Sequence, residues 1–180
     1  MEVLKEIREE GKIGWIGSSS HDPRFLAEPI RKYDCFDSVM IRYNYHLQEA
    51  RDVLFPLCKA SGTGVAVMKP LCWPYYGIPF MRFGPVEGEE ESPYTPAQLC
   101  LRWILRSSEI STAASSINTI EELKETLAAL VKDDEIDEKI LDSYLKAATR
   151  PEAKKKLEKM LDDPAVDIRH YTKRTLADFS

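Results

Sequence analysis

The strongest constraint in this chain is the alternation of short apolar segments with longer segments of helical periodicity. Residues 13–16, 38–41, 65–68 and 110–114 are each brief, largely apolar and bounded by glycine, serine or other turn-forming residues. A short continuous apolar run is the mark of a strand buried on both faces. Strands separated by helix-length segments run parallel, because each crossover returns the chain to the same end of the sheet. The pattern predicts an α/β fold with four parallel strands, covered on both sides.

Local signals punctuate the alternation. Val3, Leu4 and Ile7 lie at helical spacing before Gly11, which marks a first helix over residues 1 to about 10. Asp22-Pro23 supplies an N-cap and a proline at the first helical position for a helix running to about Lys32, with Pro29 weakening its second half. A helix is expected from about Gln48 to Ala60, then Gly62 and Gly64 open the third strand. Thr95-Pro96 begins a helix carrying Leu99, Leu101, Trp103 and Ile104. Thr119 caps one carrying Leu123, Leu127 and Leu130, with Glu122 as its capping-box partner. The stretch from 72 to 94 is rich in proline, glycine and aromatics. A loop that long is often functional, and Trp73, Tyr75, Tyr76, Phe80 and Phe83 suit either a lid over a ligand or a surface for a partner chain.

Beyond Asp133 the strand pattern stops. Helices are expected at about 135–148, 151–162 and 165–178, the last two broken at Asp162-Asp163-Pro164 like a single helical hairpin. A lone hairpin cannot bury its own face, so this tail is either a cap on the sheet domain or a docking surface. The expected organisation is residues 1–131 as the sheet domain and 132–180 as a helical tail.

Charge and cysteine usage narrow the function. With 25 basic against 30 acidic residues and a net charge of −5, the chain has no basic excess for neutralising phosphates, so nucleic acid is not an expected partner. The run Lys154-Lys155-Lys156 sits among Glu152, Glu158 and Asp162 and reads as a solvated helix face. Cys35, Cys58, Cys72 and Cys100 form no CxxC pair and have no spacing suited to zinc or an iron–sulfur cluster; reduced, mostly buried thiols are expected. The start, Met1-Glu2-Val3-Leu4-Lys5-Glu6, is charged and no apolar run approaches membrane-spanning length, so a cytoplasmic protein without a membrane partner is expected.

Polar clusters stand where the strands end: Ser18-Ser19-Ser20-His21, Arg42-Tyr43-Asn44, Lys69-Pro70-Leu71 and Ser115-Ser116-Ile117-Asn118. Parallel sheets bind ligands at that rim, because strand ends and helix N-termini converge there. His21 is the one histidine at a strand end. A loop histidine bonding backbone is the simpler reading for it, as helix positions are for His46 and His170 and rim packing is for Tyr43.

Taken in order, Gly11-Lys12-Ile13 to His21, Phe36-Asp37 to Tyr43-Asn44, and Gly64-Val65-Ala66-Val67-Met68-Lys69-Pro70-Leu71 resemble strands five, six and seven of the aldo-keto reductase family. The segment from the fourth strand through Asn118 to Thr126 resembles the family's last strand and adenosine-binding helix. The resemblance covers about residues 1–131 and implies a partial TIM-type barrel. It also implies an oxidoreductase fold that binds NADP or NAD.

By that resemblance Ser19 and Ser20 hold the nicotinamide carboxamide. Met40 replaces a glutamine contacting the same group, Met68 replaces a stacking tyrosine, and Lys69, Pro70 and Leu71 begin the loop over the pyrophosphate. Ser116 stands at a usual glycine, Asn118 at a usual arginine, Glu122 at a usual glutamine and Thr126 at a usual asparagine. Loss of the arginine removes the bidentate partner of a 2′-phosphate, which Glu122 would repel.

The family's catalytic Asp, Tyr, Lys and His belong to its first four strands, so no catalytic residue is assigned in this chain. An eightfold barrel takes about 250 residues, and 180 suffice for a half-barrel with a tail. Two readings remain open. One is the cofactor-binding half of a carbonyl oxidoreductase, completed by a complementary half-barrel chain. The other is a non-catalytic half-barrel that dimerises or docks on a partner, a reading that the altered positions favour. Open edges of an apolar sheet invite pairing, so a homo-oligomer is expected for the isolated chain.

Overall fold

The computed structural model describes residues 1–45, 47–71 and 93–130, together with positions 155, 157–162, 164, 169, 173 and 176. The loop aromatics from Trp73 to Phe83, Cys72, His46, His170 and most positions of the expected tail helices lie outside the described residues. A 3-10 turn, Met160–Asp162, falls where the second tail helix was expected to end. The chain divides into two compact units: Met1–Tyr43 with Leu47–Pro70 and Ile104–Ser115, and Asn44–His46 with Leu71–Trp103 and Ser116–Ser180.

In chain order the elements are α1 (Glu2–Glu9), β1 (Gly17–Ser20), α2 (Pro23–Lys32), β2 (Ser38–Arg42), α3 (Ala50–Val53), α4 (Phe55–Ser61), β3 (Gly64–Met68), α5 (Pro96–Leu105), β4 (Thr112–Ala114) and α6 (Ile120–Ala128). The first unit is built on one sheet of order β1-β2-β3-β4, parallel throughout. Its register aligns Gly17 with Ser38 and Gly64, then Ser19 with Met40, Ala66 and Thr112, then Arg42 with Met68 and Ala114.

Side chains alternate across a strand, so these rows share one face and Val39, Ile41, Val65 and Val67 share the other. The second face is the core. All four of those residues are buried, against α2 (Leu26, Ala27, Ile30) and the α3–α4 segment (Leu54, Phe55, Cys58). Burial of each large apolar side chain contributes roughly 1.5–3 kcal/mol. The first face is open: Gly17, Ser19, Ser38, Met40, Thr112 and Ala114 are exposed, and Ala66 and Met68 half-buried. The expectation of a sheet covered on both sides is therefore corrected to one covered on a single face among the described residues.

The first strand is also displaced from its expected place at 13–16. Trp15 is 80% exposed and only Ile16 enters the core, at 3%. Ile16 donates its N–H to Asp37 Oδ2 at 2.7 Å, and its carbonyl accepts the Asp37 N–H at 2.8 Å. Asp37 stands just before β2 and takes both groups, so ladder pairing begins at Gly17. A Cβ at Gly17 would lie 2.8 Å from Ser38 Oγ and 3.2 Å from the Ser38 carbonyl oxygen, which makes glycine the residue that permits this approach. The serines read as a post-strand loop are thus the strand itself.

The other expected elements hold with shifted limits. Asp22 accepts the Arg24 N–H at 2.8 Å as N-cap of α2, and the helix continues through Pro29 to Lys32 with Leu26, Ala27 and Ile30 held in the core. The expected single helix from 48 to 60 is two, α3 and α4, broken at Leu54 ahead of Pro56, whose ring and missing N–H disrupt a continuous ladder. Gly62 ends α4 with φ of 70°, the left-handed conformation that favours glycine, and bonds back to Cys58 and Lys59. The fourth strand spans Thr112–Ala114 and not 110–114.

In the second unit, Thr95 and Gln98 form a reciprocal capping box at α5. The Gln98 side-chain amide then donates to the Glu125 carbonyl at 3.1 Å, and Arg102 Nη1 to the Ala129 carbonyl at 3.3 Å, tying α5 to α6. The Arg102 guanidinium lies over the Tyr94 ring, 4.4 Å from its centre. No residue of α6 is buried, and Ile120, Leu123 and Leu127 leave an apolar stripe exposed. Cys35, Cys58 and Cys100 are buried, and burial pushes the Cys58 thiol up to about 11. No described helix is long and apolar enough to cross a membrane.

Candidate functional site

The carboxyl ends of β1, β2 and β3 adjoin in the first unit because the strands are parallel and in register. Ser19, Met40 and Met68 lie on the open face. Ser20 does not join them: it belongs to the helix-covered face, and its Oγ accepts the Asp22 N–H at 3.0 Å at the start of α2. The consecutive serines are thus split between the two sides of the sheet, as strand alternation requires and a loop reading could not foresee.

Lys69 follows β3 with φ of 56°, a left-handed conformation uncommon outside glycine, and is exposed, while Pro70 is buried. Such a backbone costs about 1 kcal/mol and recurs at ligand-binding positions. Lys69 and Arg42 make the rim cationic, with His21 beside them. The His21 pKa lies below its usual value, first because part of its hydration is lost and then because of the positive charges of Lys69 and Arg42. Arg42, expected from the sequence as part of the polar cluster after the second strand, is the last residue of β2, two beyond Met40 on the same face.

This charge arrangement yields a direct expectation. A proton-NMR titration should show His21 half-protonated below pH 6.5, and Lys69→Gln should move that midpoint upward by removing a neighbouring cation. An unchanged midpoint would place Lys69 away from the rim.

Tyr43 is a packing residue. It is buried, its ring meets Phe55 at 4.9 Å between centres, and its hydroxyl oxygen accepts from Arg51 Nε at 3.2 Å. Burial raises its pKa above the usual phenol value, with Arg51 pulling back, so it stays protonated at neutral pH.

The remaining positions belong to the second unit, as does Leu71, which is half-buried. Ser116 and Asn118 are exposed before α6, and Glu122 and Thr126 lie within it, half-buried. Thr119 caps this helix by accepting the Glu122 N–H at 3.1 Å. The expected capping box differs in one bond: the Glu122 carboxylate accepts the Asn118 N–H, at 2.7 Å, in place of the N–H of Thr119. A negative charge is therefore fixed at the N-terminus of α6, where the helix dipole favours it.

At the amino end of the sheet, a groove of about 580 Å³ is lined in part by Arg8, Trp15, Asp37 and Ser61. Arg8 Nη1 lies 3.3 Å from Asp37 Oδ2 there, which ties α1 to the residue just before β2.

A soybean (Glycine max) protein described as probable aldo-keto reductase 1 is 27% identical to this chain over 157 residues, covering 71% of this chain and 44% of its own length. The chain is a homologue of the aldo-keto reductases. Solved structures agree in fold. An aldo-keto reductase of Bacillus halodurans, in holo and apo forms alike, superposes with a TM-score of 0.60 at 21% identity over 82% of this chain. A thermostable aldo-keto reductase solved with the inhibitor epalrestat gives 0.55 at 20% identity over 81%. No protein-family model matches the chain. The chain spans about half the length of these aldo-keto reductases: 44% of the soybean protein, 55% of the Bacillus reductase and 53% of the thermostable one. The four parallel strands are accordingly part of an aldo-keto reductase-type barrel.

Proposed function

We propose that this chain is the cofactor-binding half of an NAD(P)-dependent, aldo-keto reductase-like carbonyl oxidoreductase, corresponding to strands five to eight and lacking the catalytic residues. The observation that carries this reading is the open sheet face of Ser19, Met40 and Met68, which ends in the cationic rim of Lys69 and Arg42 with His21 beside it. A bound nicotinamide would supply the hydride. The Ser19 hydroxyl would bond its carboxamide, with Met40 and Met68 as apolar surface, while Lys69 would offer a point charge to the pyrophosphate.

Ser116, Asn118, Glu122 and Thr126 would meet the adenosine end. The Glu122 carboxylate, anchored by the Asn118 N–H, opposes a 2′-phosphate by like charge. NAD is therefore the favoured cofactor, with NADP held more weakly.

Titration of the purified chain with NADH and NADPH, followed by protein fluorescence, tests this reading. Quenching by both is expected, with NADH the tighter, and Glu122→Gln should improve NADPH binding by about fivefold, the value of a relieved exposed charge contact. Absence of quenching by either cofactor up to millimolar concentration sinks the reading. That result favours the second reading, a non-catalytic half-barrel that docks on a partner, which the methionine at Met40 and the acid at Glu122 support.

A further inference from the structure

Basic side chains stand at the carboxyl ends of three adjacent parallel strands: His21 after β1, Arg42 at the end of β2 and Lys69 after β3. Building on the cofactor reading above, we propose that Arg42, assisted by His21, binds a compact oxyanion, the carboxylate or phosphate group of the carbonyl substrate, while Lys69 serves the cofactor.

Arg42 is half-buried on the open face, and its side chain forms no hydrogen bond or ion pair among the described residues. Partial burial of an unpartnered cation costs free energy that a bound anion offsets. Its guanidinium carries five N–H donors in a planar fork that matches a carboxylate or phosphate edge.

The acids flanking this rim in sequence are engaged elsewhere. Asp22 Oδ1 accepts the Arg24 N–H at 2.8 Å, and Glu49 Oε1 lies 2.6 Å from Arg24 Nη2. Asp37 holds the Ile16 N–H and Arg8. His21, by contrast, lies within electrostatic reach of both Arg42 and Lys69. Lost hydration and then these two cations disfavour its protonated form, and an oxyanion among the three would favour it again.

The position also separates this anion from the cofactor. Arg42 is in register with Met68 and two residues beyond Met40, about 7 Å further along the strand. Both methionines form the surface assigned above to the nicotinamide. A substrate whose carbonyl meets that ring would therefore reach Arg42 with an anionic group a few carbons away.

Proton NMR of the intact chain tests this, with inorganic phosphate and acetate as probes and the His21 imidazole as reporter, its signal identified by its loss in His21→Gln. Either probe, at millimolar concentration, is expected to raise the His21 midpoint to a saturating value. Arg42→Gln should weaken that binding at least about tenfold, as loss of a charged hydrogen-bonding partner implies. Arg42→Lys keeps the charge without the fork and should fall between, and it carries the comparison if Arg42→Gln fails to fold. The tighter probe names the anionic group of the substrate. Arg42→Gln should weaken phosphate more than NADH, and Lys69→Gln the reverse. Three results overturn the proposal: no saturable shift with either probe, a shift that Arg42→Gln leaves intact, or equal losses of phosphate and NADH in Arg42→Gln, which would put Arg42 in the cofactor site. A chain that binds phosphate through Arg42 but no NADH defeats the cofactor reading and leaves the oxyanion site standing.

Discussion

Replacing Ile41 with alanine is expected to cost about 3 kcal/mol in urea unfolding, whereas Met40→Ala, one residue away, costs less than about 1 kcal/mol. The contrast follows from the two faces of β2. Ile41 is 0% exposed in a core closed by α2 and the α3–α4 segment, so truncation leaves a cavity that the surrounding structure fills only in part. Met40 is 37% exposed on the uncovered face, and its loss removes little buried area. In a parallel sheet covered on both sides the two costs would be comparable. Equal penalties in the isolated chain would therefore contradict the open face. A Met40→Ala penalty that appears only after a partner half is bound would mark that face as the interface.

Asp37→Ala should be nearly as damaging, by about 2–3 kcal/mol, although Asp37 belongs to no strand or helix. Its Oδ2 accepts the Ile16 N–H at 2.7 Å and receives Arg8 Nη1 at 3.3 Å, while its own N–H donates to the Ile16 carbonyl and its carbonyl accepts the Gly64 N–H at 2.9 Å. Substitution leaves the main-chain bonds but strands the Ile16 amide, and bonds to charged groups are worth about 1.5–3 kcal/mol each. Asp37→Asn keeps an acceptor and should recover part of the loss. If alanine and asparagine are equally harmless under urea, the start of β1 is set by something other than this carboxylate.

The two residues differ in how far sequence alone discloses them. Ile41 lies in an apolar run whose burial is legible at sight. Asp37 looks like any acid in a loop, because its value lies in meeting Ile16, 21 positions away. The same limit explains the displaced first strand. An apolar run at 13–16 is the stronger local signal, but only the bond pattern around Asp37 determines where the ladder begins. Pro56 carried a legible warning of the break between α3 and α4, since proline interrupts a helical ladder wherever it falls.

In the candidate site, the motif order at the strand ends was readable and Lys69 stood out as a cation after β3. The facing of each side chain was not. Strand alternation depends on where the strand starts, so moving β1 to Gly17 assigned Ser19 to the open face and Ser20 to the helical side. Glu122 likewise looked like a plain capping-box acid, and its bond to Asn118 depends on the path of the loop before α6.

By itself the sequence determined the four parallel strands, the order of strands and helices, the caps at Asp22, Thr95 and Thr119, and the resemblance to half of a reductase barrel. Those features rest on periodicity and on contacts between residues a few positions apart. Tertiary structure alone decided that one sheet face is covered and the other open, that Arg42 and Lys69 act on His21, and that Asp37 starts the ladder. Each of these depends on strands brought together across tens of residues, and nothing in a local pattern records which neighbours a fold will supply.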